Sequence, residues 1–458
     1  MIKPNYKSHR DKTSRVVEKN GIYYRYIFQA YKKDYDVLML SGLYHVLIKK
    51  GLLIPHDEVM IDVDDSTVYK RLLPEQINFQ SFPFEWSYSQ WRKVVLTCLE
   101  INHIALQYGM ILKDATPFNF YLKEGRAILL DTSSFISFND GDNWIAYRQF
   151  CEELLAPFAL MYFSGQRWAR LYQTHMHGLP LAFVSKQLPI RSWFNTTCLM
   201  HLHMHAKFDY QKINNKTSDS RVFNSTKLQI LFRLIQSNVR KWETPYTYND
   251  HWSGYYKNTI ESEQYLLEKE NIVRQWLTNC NPTKVLDLGA NTGKFSKISS
   301  KLAEEVIAIE SDQHCVDLIE KMTVDENIKN INVLVGELSE PTPSLGILNK
   351  ELDSLFERTQ CDVVLCLALI HHLCISSYMS MDQVSEMLSK FSSKYVIIEF
   401  IPRDDEKVKI LMSGRESTFN DYTEENFVQT FNESFEMMDK TVIPGSKRIL
   451  YLWKKNVG

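Results

Sequence analysis

Val285-Leu286-Asp287-Leu288-Gly289-Ala290-Asn291-Thr292-Gly293-Lys294-Phe295-Ser296 is the stretch on which the fold turns. Strand-forming residues run into a glycine-rich turn, and the turn runs into a helical pattern. Gly289 and Gly293 carry no Cβ, so the backbone can bend sharply there and lie against a ligand. The helix opening near Phe295 is expected to aim its free N–H groups into the same crevice. A strand, glycine loop and helix in this order is where doubly wound α/β domains hold an adenosine-bearing cofactor.

The spacing narrows the cofactor. A dinucleotide fingerprint has three glycines as G-x-G-x-x-G. Here Ala290-Asn291-Thr292 separates two glycines, Asp287 stands before the first, and the next apolar run, Val306-Ile307-Ala308-Ile309, ends in Glu310. The stretch resembles motif I of class I S-adenosylmethionine (SAM) methyltransferases. That resemblance implies cofactor contacts from Asp287, Gly289, Ala290, Asn291 and Gly293, with Glu310 accepting both ribose hydroxyls. It also implies a wall formed by Leu367 and by Glu337, near the adenine amine. An exposed loop acid is the alternative for Glu337, and a Rossmann-like fold with another ligand or none is the alternative for the whole.

At 458 residues the chain is long for one core, so two domains are expected. A net charge of −2 gives no global pull towards nucleic acid or an anionic membrane. The eight cysteines are scattered with no C-x-x-C pair, which fits reduced, buried thiols in a cytoplasmic protein. Met1-Ile2-Lys3-Pro4-Asn5-Tyr6 has no signal-peptide apolar core, and the longest apolar run, Leu154 to Phe163, is too short to span a bilayer.

A polar stretch over 212–220 reads as a loop, a helical pattern follows from Lys227 to Trp242, and a polar turn covers 243–250. The expected domains are therefore 1–240 and 241–458. The second alternates strand and helix patterns, which argues for a parallel sheet. Strands are expected over 284–288, 306–310, 331–336, 362–367, 395–400, 435–442 and 448–453, with helices over 262–277 and 381–391 among those covering the faces. Seven strands closing in an antiparallel hairpin make the class I methyltransferase sheet.

The fourth strand runs Asp362-Val363-Val364-Leu365-Cys366-Leu367-Ala368-Leu369-Ile370-His371-His372. Open α/β sheets bind ligands at the C-terminal ends of their strands. His371 and His372 are thus the catalytic candidates, for removing a proton or orienting an acceptor, because imidazole titrates near neutrality. Packing or capping of the next helix is the competing role. Trp252-Ser253-Gly254-Tyr255-Tyr256 and Tyr265 are candidates for an aromatic lid, and Glu399 and Arg403 border the same crevice.

The N-terminal half has its own signature. Lys113-Asp114-Ala115-Thr116-Pro117-Phe118-Asn119 is followed by Ala127-Ile128-Leu129-Leu130-Asp131. This order resembles the catalytic loop and metal-binding acid of protein kinase-like folds. The resemblance implies Asp114 as proton acceptor, with Asn119 and Asp131 holding magnesium on a bound Mg·ATP. Helices over 88–108 and 144–163 fit the same α+β fold. Leu112-Lys113 replaces the usual His-Arg, no glycine-rich phosphate loop precedes the motif, and Lys70 is the weak candidate for a strand lysine. His201-Leu202-His203-Met204-His205 could ligate a metal only with a partner that the neighbouring sequence lacks.

Glu85-Trp86-Ser87-Tyr88, the 109–115 loop, Leu130-Asp131-Thr132, Ala146-Tyr147-Arg148-Gln149-Phe150-Cys151, Leu155-Ala156-Pro157 and the 367–373 turn together look like one bacterial family. It comprises class I SAM-dependent methyltransferases with a kinase-like N-terminal region, and includes NoeA-type nodulation proteins. The resemblance implies methyl transfer to an undefined acceptor, a glycan or small molecule being favoured. A bifunctional kinase-methyltransferase acting on a glycan, and a binding protein with both chemistries lost, are the alternatives.

Overall fold

The computed structural model describes residues 11–207, 224–245 and 263–456. The loop over 212–220 and the aromatic segment 252–256 lie outside these residues. The chain divides into two compact units after residue 249, with the short 346–352 segment counted with the first.

The first unit opens on an antiparallel sheet. Strand β1 (Ser14–Lys19) turns into β2 (Ile22–Phe28) through Asn20-Gly21, both at positive φ, which is the hairpin turn that matches strand twist. With β3 (His56–Val59) and β4 (Val68–Pro74) the order is β1-β2-β4-β3. Helices α1 (Lys32–Leu40) and α2 (Leu43–Lys49) fill the β2–β3 connection.

Helix α3 (Tyr88–Gln107) starts at a reciprocal cap, in which the Ser87 hydroxyl accepts from Gln90 N–H and the Gln90 amide accepts from Ser87 N–H. Its buried residues, among them Trp91, Val94, Cys98 and Ile101, enter a core shared with α4 (Ala156–Ser164) and α5 (Ser225–Lys241). Short strands β5 (Met110–Leu112) and β8 (Phe135–Ser137) pair antiparallel, as do β6 (Phe120–Lys123) and β7 (Arg126–Leu129) between them.

The single helix expected over 144–163 is interrupted. Residues Phe150–Leu155 form a π turn, and the Ala156 N–H reaches back five residues to the Cys151 carbonyl. Pro157 is the cause: it has no N–H to give to Glu153, so the normal ladder cannot continue through this point.

The second unit is built on seven strands: β9 (Lys284–Leu288), β10 (Glu305–Glu310), β11 (Ile331–Val335), β12 (Cys361–Cys366), β13 (Ser392–Phe400), β14 (Phe435–Val442) and β15 (Ile449–Lys455). Their spatial order is β11-β10-β9-β12-β13-β15-β14, parallel from β11 to β13, with β15 antiparallel to both its neighbours. This is the sheet of a class I methyltransferase, with its closing hairpin.

Every residue of β10 is buried, as a parallel strand covered on both faces requires. Helices α6 (Glu263–Cys280), α7 (Lys294–Ser299), α8 (Gln313–Asp325), α9 (Met381–Phe391), α10 (Glu406–Met412) and α11 (Glu424–Ser434) accompany it. The chain leaves β9 towards β10 on one side and later returns to place β12 on the other. The switch point thus falls between β9 and β12, and the crevice opens at Leu288–Gly289 and Cys366–Leu367.

Candidate active site

A cleft of about 290 Å³ lies at that switch point. Gly289, Ala290 and Asn291 form its floor. The Gly289 and Ala290 N–H groups both donate to the Ile309 carbonyl, at 2.9 and 3.1 Å, which ties the loop to β10. Asn291 sits at φ 50° and its N–H donates to Glu310 Oε2 at 2.8 Å. Asp287 is buried beneath the loop, accepts the Ser296 hydroxyl at 2.6 Å, and is pushed up to about 6 by burial. Burial also raises Glu310, which accepts Asp312 N–H at 2.9 Å.

Of the residues expected around the cofactor, Asp287, Gly289, Ala290, Asn291, Glu310, Glu337 and Leu367 line this one cleft. Gly293 does not. At φ 82° it caps α7, and a Cβ there would stand 2.9 Å from Ile319 and 3.1 Å from Met322. It lets α7 pack on α8, which gives its glycine a packing role. The expected ring of N–H donors at the start of α7 is likewise absent from the wall, which takes only Phe295 from that helix.

The two histidines are separated by the turn that carries them. His372 lines the cleft, whereas His371 is fully buried and does not. Consecutive residues in a helical turn point about 100° apart, so both cannot face one ligand. The rings lie 4.1 Å apart. Burial, then the Lys407 charge, brings His372 down to about 4, and burial holds His371 well below its ordinary value. Both imidazoles are neutral at pH 7.

Lys269 and Arg448, which no motif marks, also line the cleft beside Tyr265. Lys269 Nζ lies 2.5 Å from Glu399 Oε2, and the Tyr265 hydroxyl donates to Glu399 Oε1. Arg448 reaches Asp405 Oδ2 at 2.9 Å and Glu399 Oε1 at 3.8 Å. Burial opposes charge on Glu399, but Lys269 and Arg448 outweigh it and hold its carboxyl low. Glu399 supports the wall from behind. Arg403 donates to the Glu416 carbonyl at 2.9 Å and takes no part. A signal for Lys269 was present: Tyr265, Lys269, Val273 and Trp276 form one buried helical stripe, and a lysine on such a stripe needs an acid. Gly336 was missed as well; a Cβ there would stand 2.6 Å from Ile309.

In the first unit Asn119 Nδ2 donates to Asp114 Oδ2 at 3.1 Å, and Gln149 Nε2 donates to Asp114 Oδ1 at 2.7 Å. Burial and the nearby Asp131 raise Asp114. Asp131 Oδ1 accepts the Ser133 hydroxyl at 2.6 Å and pairs with Arg25 at 2.7 Å. Arg25, on β2, is thus the cation that pairs with Asp131. Lys70 pairs instead with Glu58 on β3, within the sheet.

His201 bonds Tyr147 at 2.7 Å, and His203 bonds Ser185 and Ser192. Among the described residues no group of three or more His, Cys, Asp or Glu is gathered as for a metal.

No protein-family model matches the chain. The chain is 30% identical over 395 residues to the nodulation protein NoeA of Rhizobium meliloti (strain 1021), covering 85% of this chain and 82% of that one. Among solved structures, the N-methyltransferase NodS from Bradyrhizobium japonicum WM9 matches 43% of this chain and all of its own at 9% identity and a TM-score of 0.33. The magnesium protoporphyrin IX methyltransferase ChlM from Synechocystis PCC 6803, with bound S-adenosylhomocysteine (SAH), matches 45% of this chain and 93% of its own at 14% identity and a TM-score of 0.31. At such scores the strand order, and not the superposition, identifies the fold.

Proposed function

This chain belongs to the family of the nodulation protein NoeA, and from that membership and the cleft at the β9–β12 switch point we propose that it is a SAM-dependent methyltransferase. The observation that carries the reading is Glu310. Its carboxylate accepts the Asn291 and Asp312 N–H groups from both flanking loops and the Ser311 hydroxyl, and a vicinal diol that displaces that hydroxyl would find two of its about four lone-pair sites. The cleft beyond it is walled by Ala290, Leu338 and Leu367, which suits a flat base, with Glu337 at its edge. These residues fit SAM, which supplies an electrophilic methyl group when bound.

The protein's part is to align, to exclude water and to accept a proton. Gly289 and Asn291 hold the loop at positive φ so that its backbone faces the cleft. Lys269 and Arg448, paired with Glu399 and Asp405, stand on the wall, and the Lys269 charge acts on Asp287. His372, kept neutral by burial, stands on the cleft wall after β12, where an acceptor would approach.

The acceptor class we favour is a glycan or small molecule. The test is calorimetry with SAH. Saturable binding by the wild type, lost in Gly289→Trp, supports the reading; no binding by the folded wild type overturns it.

For the first unit we propose recognition in preference to phosphoryl transfer. The supporting observation is Asp131, whose Oδ1 is engaged by both Ser133 and Arg25. A kinase-like use of Asp114, Asn119 and Asp131 with Mg·ATP needs that acid turned to a metal.

A further inference from the structure

The loops after β12 and β13 enclose a second cavity in the same unit, of about 180 Å³, bordered by Cys374, Tyr378, Thr418, Phe419, Asp421 and Tyr422. It adjoins the cleft through one turn: Leu373 and Ser377 line the cleft, while Cys374 and Tyr378 line the second cavity. Tyr378 stands at φ 57°, a region that a bulky side chain rarely adopts. The turn enforces it, with Ser377 N–H donating to the His372 carbonyl and Met379 N–H to the Leu373 carbonyl, both at 3.0 Å. Backbone held in this way collects at ligand sites. The result is a tyrosine ring that is 59% exposed, 5.7 Å from the ring of Phe419.

Charge decides what such a place can hold. The Arg415 guanidinium lies over both rings, 5.5 Å from Tyr378 and 5.7 Å from Phe419, and donates to the Tyr378 hydroxyl. Asp421 borders the same cavity, and its carboxylate has no hydrogen bond or ion pair among the described residues. Arg415, held on the lining Tyr378, disfavours a cationic ligand, and the lining Asp421 disfavours an anionic one. A neutral ring whose rim both donates and accepts hydrogen bonds satisfies the two together. Its apolar face can lie on the exposed Tyr378 ring, which the buried Phe419 backs. At about 180 Å³, against about 290 Å³ for the neighbouring cleft, it has room for a single ring.

We propose that this cavity is a sugar subsite, taking one neutral pyranose ring of the methyl acceptor and presenting the next part of the acceptor to His372. The word acceptor rests on the methyltransferase reading; the binding of a sugar ring does not.

The experiment is saturation-transfer NMR on the full chain with methyl β-D-glucopyranoside as probe, with benzylammonium and benzoate as charged ring controls. SAH calorimetry is run on the same samples. The glucoside should bind the wild type, about fivefold more weakly to Tyr378→Ala and to Asp421→Ala, and with near wild-type strength to Tyr378→Phe, which keeps the ring. SAH affinity should be the same in all of them, which also shows that they fold. Absence of glucoside binding, binding unchanged in both alanine variants, or preference for either charged control would overturn the proposal. Sugar binding without SAH binding keeps the sugar site and removes the methyltransferase reading. SAH binding without sugar binding does the reverse.

Discussion

Two glycines in one loop do different work, and substitution separates them. Gly293→Ala puts a Cβ 2.9 Å from Ile319 at a backbone angle of 82°, so we expect a loss of roughly 1–3 kcal/mol in urea unfolding. Gly289 faces the softer Leu369 side chain at 3.2 Å, so Gly289→Ala should cost less stability and more SAH affinity. The paired histidines also diverge. His372→Ala should lower turnover and leave SAH affinity nearly unchanged, because it faces an acceptor. Equal turnover in variant and wild type would make it structural.

The histidines also set a pH dependence. His372 falls from an ordinary 6.5 to about 4 in the folded chain, so between these values the unfolded chain binds the extra proton. Its contribution is complete above pH 6.5 and is lost as pH falls towards 4, up to about 3 kcal/mol. Melting temperatures measured from pH 7 to 4.5 should drop, and His372→Gln should flatten that drop.

Among elements, α6, β13 and the turn that leads into β15 meet in the charged network behind the cleft. Lys269 and Glu399 are almost wholly buried, so removing one partner strands the other. Lys269→Met should cost about 3–5 kcal/mol in denaturant unfolding, and Lys269→Met with Glu399→Gln should recover part of it. Additive losses in the double variant would mean that Arg448 and Tyr265, not Lys269, satisfy Glu399. The interrupted helix at 147–164 teaches the same point about neighbours: one proline changed the ladder of its whole segment.

For the whole molecule, two units with separate cores should give two unfolding transitions by calorimetry. SAH at about one hundred times its dissociation constant should raise one of them by about 2.7 kcal/mol and leave the other in place. In the first unit, metal-dependent ATP turnover should be weak or absent. Robust turnover abolished by Asp131→Ala would replace the recognition reading with a bifunctional one.

The strands of the second unit were legible because parallel strands covered on both faces must be continuous apolar runs, and the loop at Gly289 must turn where β9 ends. Those are local demands, and local sequence answers them. Asp287, Glu310 and Leu367 were expected together from the resemblance to motif I, and the ends of their strands bring them to one cleft. Which of His371 and His372 faces the cleft was not legible, since that depends on the phase of a turn set by packing against the sheet. Nor was the pairing of Arg25 with Asp131, or of Lys269 with Glu399, across more than a hundred residues of chain. Periodicity and motif spacing carry the fold class because they act within a few residues. Contacts between distant charges, and the side from which each reaches a ligand, exist only once the layers have closed.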